Sequence, residues 1–243
     1  MTALGIIGGS GLSQLDGLKV DHEELVDTPF ADNAVLLLRG RLGDQDVVFL
    51  PRHGSRHSIS PHKINYRANL WAIHSLNVEQ VIGMAAVGGI AESLAPGTLC
   101  VADQIIDYTY GREHTYFAEN LESVTHVDFT EPYCEVLRQK LISAGQGEGI
   151  QLVSMGTYAA TQGPRLESAA EIHRLKQDGC DLVGMTGMPE AGLARELGLC
   201  YANLSLVVNW AAGLGDGPIT MSEIERHLET GMQKAIRVMS AVS

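Results

Sequence analysis

Short apolar runs alternate with amphipathic stretches along the chain, the pattern of an α/β architecture with a largely buried sheet. "LGIIGG", "AVLLLRG", "DVVFLPRHG", "QVIGMAAVGG" and "GTLCVADQIIDYT" predict strands in the first half. Between the last two and the strands before them, "INYRANLWAIHSL" predicts a helix beginning near Ile64. In the second half "EPYCEVLRQKLISAG" predicts a helix with Pro132 at an early position. Strand "QLVSMGTYAAT", helix "SAAEIHRLKQDG", strand "CDLVGMT", helix "PEAGLARELG" and strand "CYANLSLVVN" follow. A last helix opens with Thr220 and Glu223 in capping-box spacing. Its Ile224, Leu228, Met232, Ala235, Ile236 and Met239 fit a 3.6-residue period. No repeat, low-complexity linker or composition shift divides the chain, so residues 1–243 are expected to form one domain.

Composition narrows the function classes. Hydrophobic residues make up 45 %, enough for a packed core. The net charge of −12 argues against a general nucleic-acid surface, though helix N-termini and a few Arg residues can still build a local anion site. No apolar segment is long enough to span a bilayer, and no charged-then-apolar leader opens the sequence. The four scattered cysteines show no CxxC or Cys/His ligand spacing. They are expected to be reduced core thiols of a cytoplasmic protein, with no metal site.

Several small motifs fall at strand ends, where open α/β sheets place ligands. "GIIGGSG" runs a strand into a glycine turn whose backbone N–H groups and Ser10 hydroxyl suit an anion; a plain tight turn explains it equally well. It lacks the dinucleotide-binding glycine spacing. "LPRHGSRHS" concentrates Arg52, His53, Arg56 and His57 in a chain with only 17 Lys and Arg, and cationic or donor side chains together suit an oxyanion. "MAAVGG" offers small residues for close ligand approach, or merely for packing. Glu167 in "GPRLES" reads as a carboxylate at a helix start, and Thr186 in "GMTGMPE" as a helix cap. Asn209 interrupts the apolar run "SLVVNWAAG". A buried amide without partners costs about 1–3 kcal/mol, so its presence needs a reason. No GxSxG elbow, HExxH or Walker loop is present.

Taken in order, "IIGGSG", "RHG" with "INYRANLWA", "TQGPRLES" and "MTGMPEAGLARELGLCYANLSLVVN" resemble the trimeric purine nucleoside phosphorylase family, most of all its methylthioadenosine phosphorylase branch. The resemblance runs from about Leu4 into the final helix. It implies a single domain with a central mixed, twisted sheet flanked by helices, and a homotrimer. The implied reaction is phosphorolysis, in which phosphate attacks the anomeric carbon of a purine nucleoside. Phosphate is a co-substrate, and no cofactor is implied. The resemblance assigns phosphate binding to Ser10, Arg52, His53, Ala85, Ala86 and Thr186, although the branch carries Thr where this chain has Ala85. It places Leu166, Glu167, Met185, Asn209, Trp210 and Ala211 around the nucleoside, and His126 near the sugar. Ser10, Arg52, His53 and Asn209 are the expected catalytic set.

Substrate choice follows from three departures. Adenine-cleaving relatives carry Asp at the positions of Asn209 and Ala211 and Ser at that of Glu167; the Glu167/Asn209 pair resembles the inosine- and guanosine-cleaving branch. Hypoxanthine offers an N1–H donor and acceptors at N7 and O6, which a carboxylate and an amide can satisfy respectively. Such polarity matching discriminates by roughly 10⁴–10⁵. At the 5′ end of the sugar, inosine-cleaving relatives place a His where this chain has Met221, with Ile224 one turn on. A thioether beside an aliphatic side chain suits a methylthio group rather than a hydroxyl. The expected substrate is S-methyl-5′-thioinosine, giving hypoxanthine and 5-methylthioribose 1-phosphate. The alternatives are an inosine/guanosine phosphorylase, a methylthioadenosine phosphorylase, a nucleoside hydrolase, a nicotinamide-binding protein or a non-catalytic purine-binding module.

Overall fold

The first strand shows how the sheet is filled. A computed structural model of the chain describes residues 3–9, 17–119 and 123–242. In it β1 (Leu4–Gly8) runs parallel to both β4 (Gln45–Pro51) and β5 (Gln80–Gly89). Successive side chains point to opposite faces of a strand, and here both faces are apolar. Leu4 and Ile6 join Val47, Phe49, Ile82 and Met84 in one core. Ile7 joins Val48, Leu50, Val81 and Val87 in the other. Helices cover both. α1 (Tyr66–Ser75) and α4 (Gly187–Glu196) bring Leu70, Ile73, Ala191 and Leu193 to one side. α2 (Glu135–Gly147) and α5 (Met221–Ser240) bring Leu137, Leu141, Met232 and Val238 to the other.

Among the described residues the sheet is mixed, as the resemblance implied. β11 (Cys200–Trp210) continues it parallel to β5, and β10 (Leu182–Gly184) pairs antiparallel to β5. β1, β4, β5 and β11 therefore point the same way, and their carboxyl ends converge on one edge. α3 (Ala169–Gln177) begins beyond a loop from β9 (Thr157–Ala160), and its N-cap Ser168 closes a full capping box with Glu171.

Some expected elements are revised. "GTLCVADQIIDYT" divides into β6 (Leu99–Val101) and β7 (Gln104–Asp107), and "QLVSMGTYAAT" into β8 (Leu152–Val153) and β9. The two ribbons bend together, because β6 pairs with β8 while β7 pairs with β9. At the bend Gly156 N donates to Asp103 Oδ1 at 2.6 Å. The first helix starts at Tyr66, where the Asn65 side chain accepts from Ala68 N. α2 starts at Glu135, leaving Pro132 outside it. Two strands lie at one edge: β3 (Val35–Leu42), which was expected, and β2 (Leu18–Val26), which was not. β2 is largely exposed, so no apolar alternation marks it.

The cysteine reading also needs correction. Cys134, the N-cap of α2, is disulfide-bonded to Cys200 at the start of β11, with Cα atoms 5.0 Å apart. The fold brings together two residues 66 positions apart, which no local spacing reveals. Cys100 and Cys180 are free and buried. No helix among the described residues is long and apolar enough to cross a membrane.

Two glycines of the fold, Gly89 of "MAAVGG" and Gly147 of α2, differ in how closely they are packed. A Cβ on Gly89 would overlap the carbonyl oxygen of Leu94, whereas Gly147 in α2 has open space around it. Gly89→Ala should therefore lower the unfolding free energy by about 1–3 kcal/mol, and Gly147→Ala should be neutral or slightly stabilising. Urea midpoints of the two variants check this; equal midpoints would contradict it.

Candidate active site

Where the strand ends converge lies a cavity of about 490 Å³. Arg52 and His53 enter it from the turn after β4, Ala85 and Ala86 from β5, and Met185 and Thr186 from the β10–α4 turn. Leu166 and Glu167 reach it from the loop before α3, Asn209 and Ala211 from the end of β11, and Met221 and Ile224 from the first turn of α5. The sheet thus gathers these residues from six segments. Ser10 lies outside the described residues. Trp210, half-buried at the end of β11, is not among the residues that line the cavity. His126 and Arg56 are exposed and are not part of its wall either.

Arg52 is the most constrained of these side chains. It is 2 % exposed, and its guanidinium grips Glu190 through Nε–Oε2 at 2.6 Å and Nη2–Oε1 at 2.7 Å. Nη1 donates to the Met84 carbonyl at 2.9 Å, and the Tyr201 hydroxyl donates to Glu190 at 2.8 Å. Burial alone would lower the Arg52 pKa, but the Glu190 carboxylate outweighs it and holds the group above its ordinary value. Five guanidinium N–H groups exist, and three of them are taken by these contacts. Two remain for an oxyanion. Gly9 is required above it, since a Cβ there would stand 2.8 Å from Nη1.

His53 is neutral rather than cationic. Its Nδ1 lies 2.7 Å from the Ile59 carbonyl, which can only accept, so the proton sits on Nδ1. Burial lowers the pKa most; Arg52 and His57 add to that against the Ile59 hydrogen bond, leaving it at about 4. Nε2 is then an acceptor. The sequence reading of two cationic or donor groups is revised accordingly: one cation stands beside one neutral acceptor.

Asn209 owes its place to a β-bulge. Val207 pairs with Val87, but the next pair is Asn209 with Gly88. An unbulged strand would have set Val208 there. Bulges re-aim side chains in this way. One amide N–H of Asn209 donates to the Trp210 carbonyl at 2.7 Å, leaving its second N–H for the cavity. Glu167 accepts from the Thr161 hydroxyl at 2.6 Å and precedes the α3 N-cap rather than capping it. Thr186 occupies the N-cap position of α4, yet its side chain makes no capping hydrogen bond.

Sequence reasoning missed the residues that hold this wall in place. Arg112, 8 % exposed, donates to the carbonyls of Thr161 and Gln162 on one loop and of Met185 and Met188 on another. It ties the Glu167 loop to the Met185–Thr186 turn. Glu190 lay inside a quoted motif without being singled out. Leu228, one turn beyond Ile224, completes the apolar side of the cavity. Among the described residues no cluster of His, Cys, Asp and Glu could hold a metal ion.

The model of the phosphorylase superfamily matches residues 3–243. The chain belongs to that superfamily. It is an enzyme of the nucleoside phosphorylase type, a class of pentosyl transferases. It is 50 % identical to a probable S-methyl-5′-thioinosine phosphorylase of Pseudomonas syringae pv. tomato, over 99 % of this chain and 100 % of that one. It is 43 % identical to a 6-oxopurine nucleoside phosphorylase of Pyrococcus furiosus, over 99 % and 92 %. The structure of a methylthioadenosine phosphorylase from Schistosoma mansoni, in complex with adenine, superposes with a TM-score of 0.94 at 31 % identity, covering 100 % and 91 % of the two chains.

Two predictions follow from the buried charges. Glu190→Ala leaves Arg52 an uncompensated buried cation and should cost about 3–5 kcal/mol of stability, whereas Arg52→Met with Glu190→Leu should recover most of it. Denaturant unfolding of both variants tests the pair; an equally unstable double variant would contradict it. The His53 pKa falls from 6.5 to about 4 on folding, so below pH 6.5 the unfolded chain binds a proton that the folded chain does not. Stability should drop as pH falls from about 6.5 to about 4. His53→Gln should flatten that part of the curve, and the His53 imidazole resonances should titrate near pH 4.

Proposed function

We propose that this chain cleaves S-methyl-5′-thioinosine with inorganic phosphate, releasing hypoxanthine and 5-methylthioribose 1-phosphate. One observation carries the reading: a single cavity is lined by Arg52, His53 and Thr186, by Glu167 and Asn209, and by Met221, Ile224 and Leu228. These are an oxyanion set, a 6-oxopurine set and an apolar set. The similar bacterial and archaeal proteins, named as phosphorylases of S-methyl-5′-thioinosine and of 6-oxopurine nucleosides, support the first two.

In this mechanism the two remaining Arg52 N–H groups and the Thr186 hydroxyl hold phosphate, with backbone N–H groups at Ala85 and Ala86 nearby. The resemblance to the purine nucleoside phosphorylases assigns Ser10, which lies outside the described residues, to the same role. His53 Nε2 accepts a hydrogen bond from the P–OH of hydrogen phosphate, turning an unprotonated oxygen toward the sugar. That oxygen bonds to C1′ as the bond from C1′ to N9 breaks, and the electron pair leaves with the purine. Charge builds at N7 and O6, where the free Asn209 N–H donates; such stabilisation acts most in the transition state. Glu167 accepts from N1–H, and Met185 packs on the ribose. Orientation and electrostatics supply the chemistry, so no covalent intermediate or cofactor is invoked.

Met221, Ile224 and Leu228 offer no strong donor to a 5′-hydroxyl, which favours a methylthio group there. Met221 is 66 % exposed in the single chain. A homotrimer, in which a neighbour closes this side, completes the proposal. The deciding experiment is a panel of inosine, S-methyl-5′-thioinosine, adenosine and methylthioadenosine, each with and without phosphate. The highest kcat/KM is expected for S-methyl-5′-thioinosine, with no turnover when phosphate is omitted. Equal values for inosine would overturn the sugar assignment, a preference for methylthioadenosine the base assignment, and turnover without phosphate the reaction itself.

A further inference from the structure

Glu167 is not placed in the cavity by its own loop alone. The Thr161 hydroxyl lies 2.6 Å from Glu167 Oε1 and 3.3 Å from the Gly184 carbonyl. A hydroxyl has one proton, and the shorter contact takes it. Thr161 itself cannot drift. Its N–H donates to the Gly184 carbonyl at 2.8 Å, and its carbonyl accepts from the buried Arg112 at 3.2 Å. The hydroxyl is therefore a fixed donor aimed at one carboxylate oxygen.

We infer that Thr161 is a positioning residue that sets base specificity by fixing the Glu167 carboxylate, so that one defined oxygen faces the base as an acceptor. The inference rests on the proposed pairing of Glu167 with purine N1–H. With Oε1 occupied by Thr161, Oε2 is the oxygen left to meet the base. A 6-oxopurine presents N1–H to it and is accepted. A 6-aminopurine presents an unprotonated N1, which Glu167 could meet only by carrying a proton on Oε2. With Oε1 held by Thr161 the carboxylate cannot turn aside from a base that offers it no proton, so Thr161 disfavours adenine without touching it. No sequence signal marks the residue, because Thr161 reads locally as the last position of an apolar strand.

The test is a graded series on the full chain: Thr161→Ser, which keeps the hydroxyl, Thr161→Cys, which keeps the size with a weak donor, and Thr161→Val, which keeps the shape with none. The readout is the ratio of kcat/KM for S-methyl-5′-thioinosine over methylthioadenosine, with hypoxanthine and adenine binding measured alongside by calorimetry. The ratio should be kept in the Ser variant and fall by roughly tenfold or more in the Val variant, with Cys between. Hypoxanthine binding should weaken while adenine binding holds or tightens. A ratio that stays constant across the series, including one in which both activities fall together, overturns the inference and leaves Thr161 a packing residue. A ratio that follows side-chain volume rather than donor strength overturns it too, and the Ser and Cys variants decide this even where Val does not fold. A wild-type chain indifferent to the 6-substituent would instead remove the substrate reading on which the inference stands.

Discussion

The buried pair of Arg52 and Glu190 is the constraint from which the site is built. It joins the end of β4 to the start of α4, and through the Met84 carbonyl and the Tyr201 hydroxyl it also engages β5 and β11. A charged group taken out of water must find its compensation inside the protein; Arg52 finds it in Glu190 and the Met84 carbonyl, and Glu190 in Arg52 and the Tyr201 hydroxyl. A pair so enclosed dictates its surroundings. Gly9 has to be glycine to pass over Nη1, and Gly83 has to be glycine because a Cβ would overlap the Tyr201 hydroxyl and press on Glu190. The residual N–H groups of Arg52 are aimed by these contacts, so an anion would meet donors that need no reorganisation.

Arg112 plays the corresponding part for the loops. The segment after β9 and the turn after β10 would be free to move independently, since each is an excursion from the sheet. Their carbonyls converge instead on one guanidinium, which also stacks over the Tyr66 ring at 5.5 Å. Backbone carbonyls are obligatory acceptors, and a single Arg satisfies several that a loop leaves over. The consequence is geometric: Glu167 and the pair Met185–Thr186 cannot shift relative to each other without breaking that hub. Two buried arginines thus account for the rigidity of a wall made mostly of loops, in a chain with few cations to spare.

Much of this was legible in the sequence, and the limits have physical causes. Strands such as β1, β5 and β11 announce themselves because a doubly buried strand is a continuous apolar run. β2 does not, because a solvated edge strand needs no apolar face. The cavity residues Arg52, His53, Glu167, Met185, Thr186 and Asn209 stand out as polar or special residues at strand ends. Trp210 was grouped with its neighbours, but it stands outside the cavity lining. What could not be read were partners: Glu190 lies 138 positions from Arg52, the carbonyls that Arg112 reaches lie 49 to 76 positions from it, and Cys134 meets Cys200 only in the fold. The bulge at Val208 is equally silent, although it decides where Asn209 points. Local pattern encodes which residues are poised for chemistry. Long-range packing decides how each is protonated, aimed and held, as the neutral His53 shows.

The cavity's two specificity regions obey different physics, and this bears on how selective such an enzyme can be. On the proposed assignment the base edge is read by polarity, through Glu167 and Asn209. A mismatched base there leaves buried polar groups unpaired, and a site built this way can discriminate by roughly 10⁴–10⁵. On that assignment the sugar's 5′ end meets Met221, Ile224 and Leu228, which reward apolar area, with Glu225 on the same stretch of α5 the one polar side chain beside them. A methylthio group in place of a hydroxyl is then worth about 1–3 kcal/mol, or 10- to 200-fold. A hydroxyl there suffers chiefly from poor satisfaction, and exposed Met221 softens even that penalty while water can reach it. Base choice should therefore be steep and sugar choice shallow within one site. The sugar end gains selectivity only as water is excluded from it, which ties the finer half of the specificity to whatever closes over Met221 and the coarser half to hydrogen bonds already made inside a single chain.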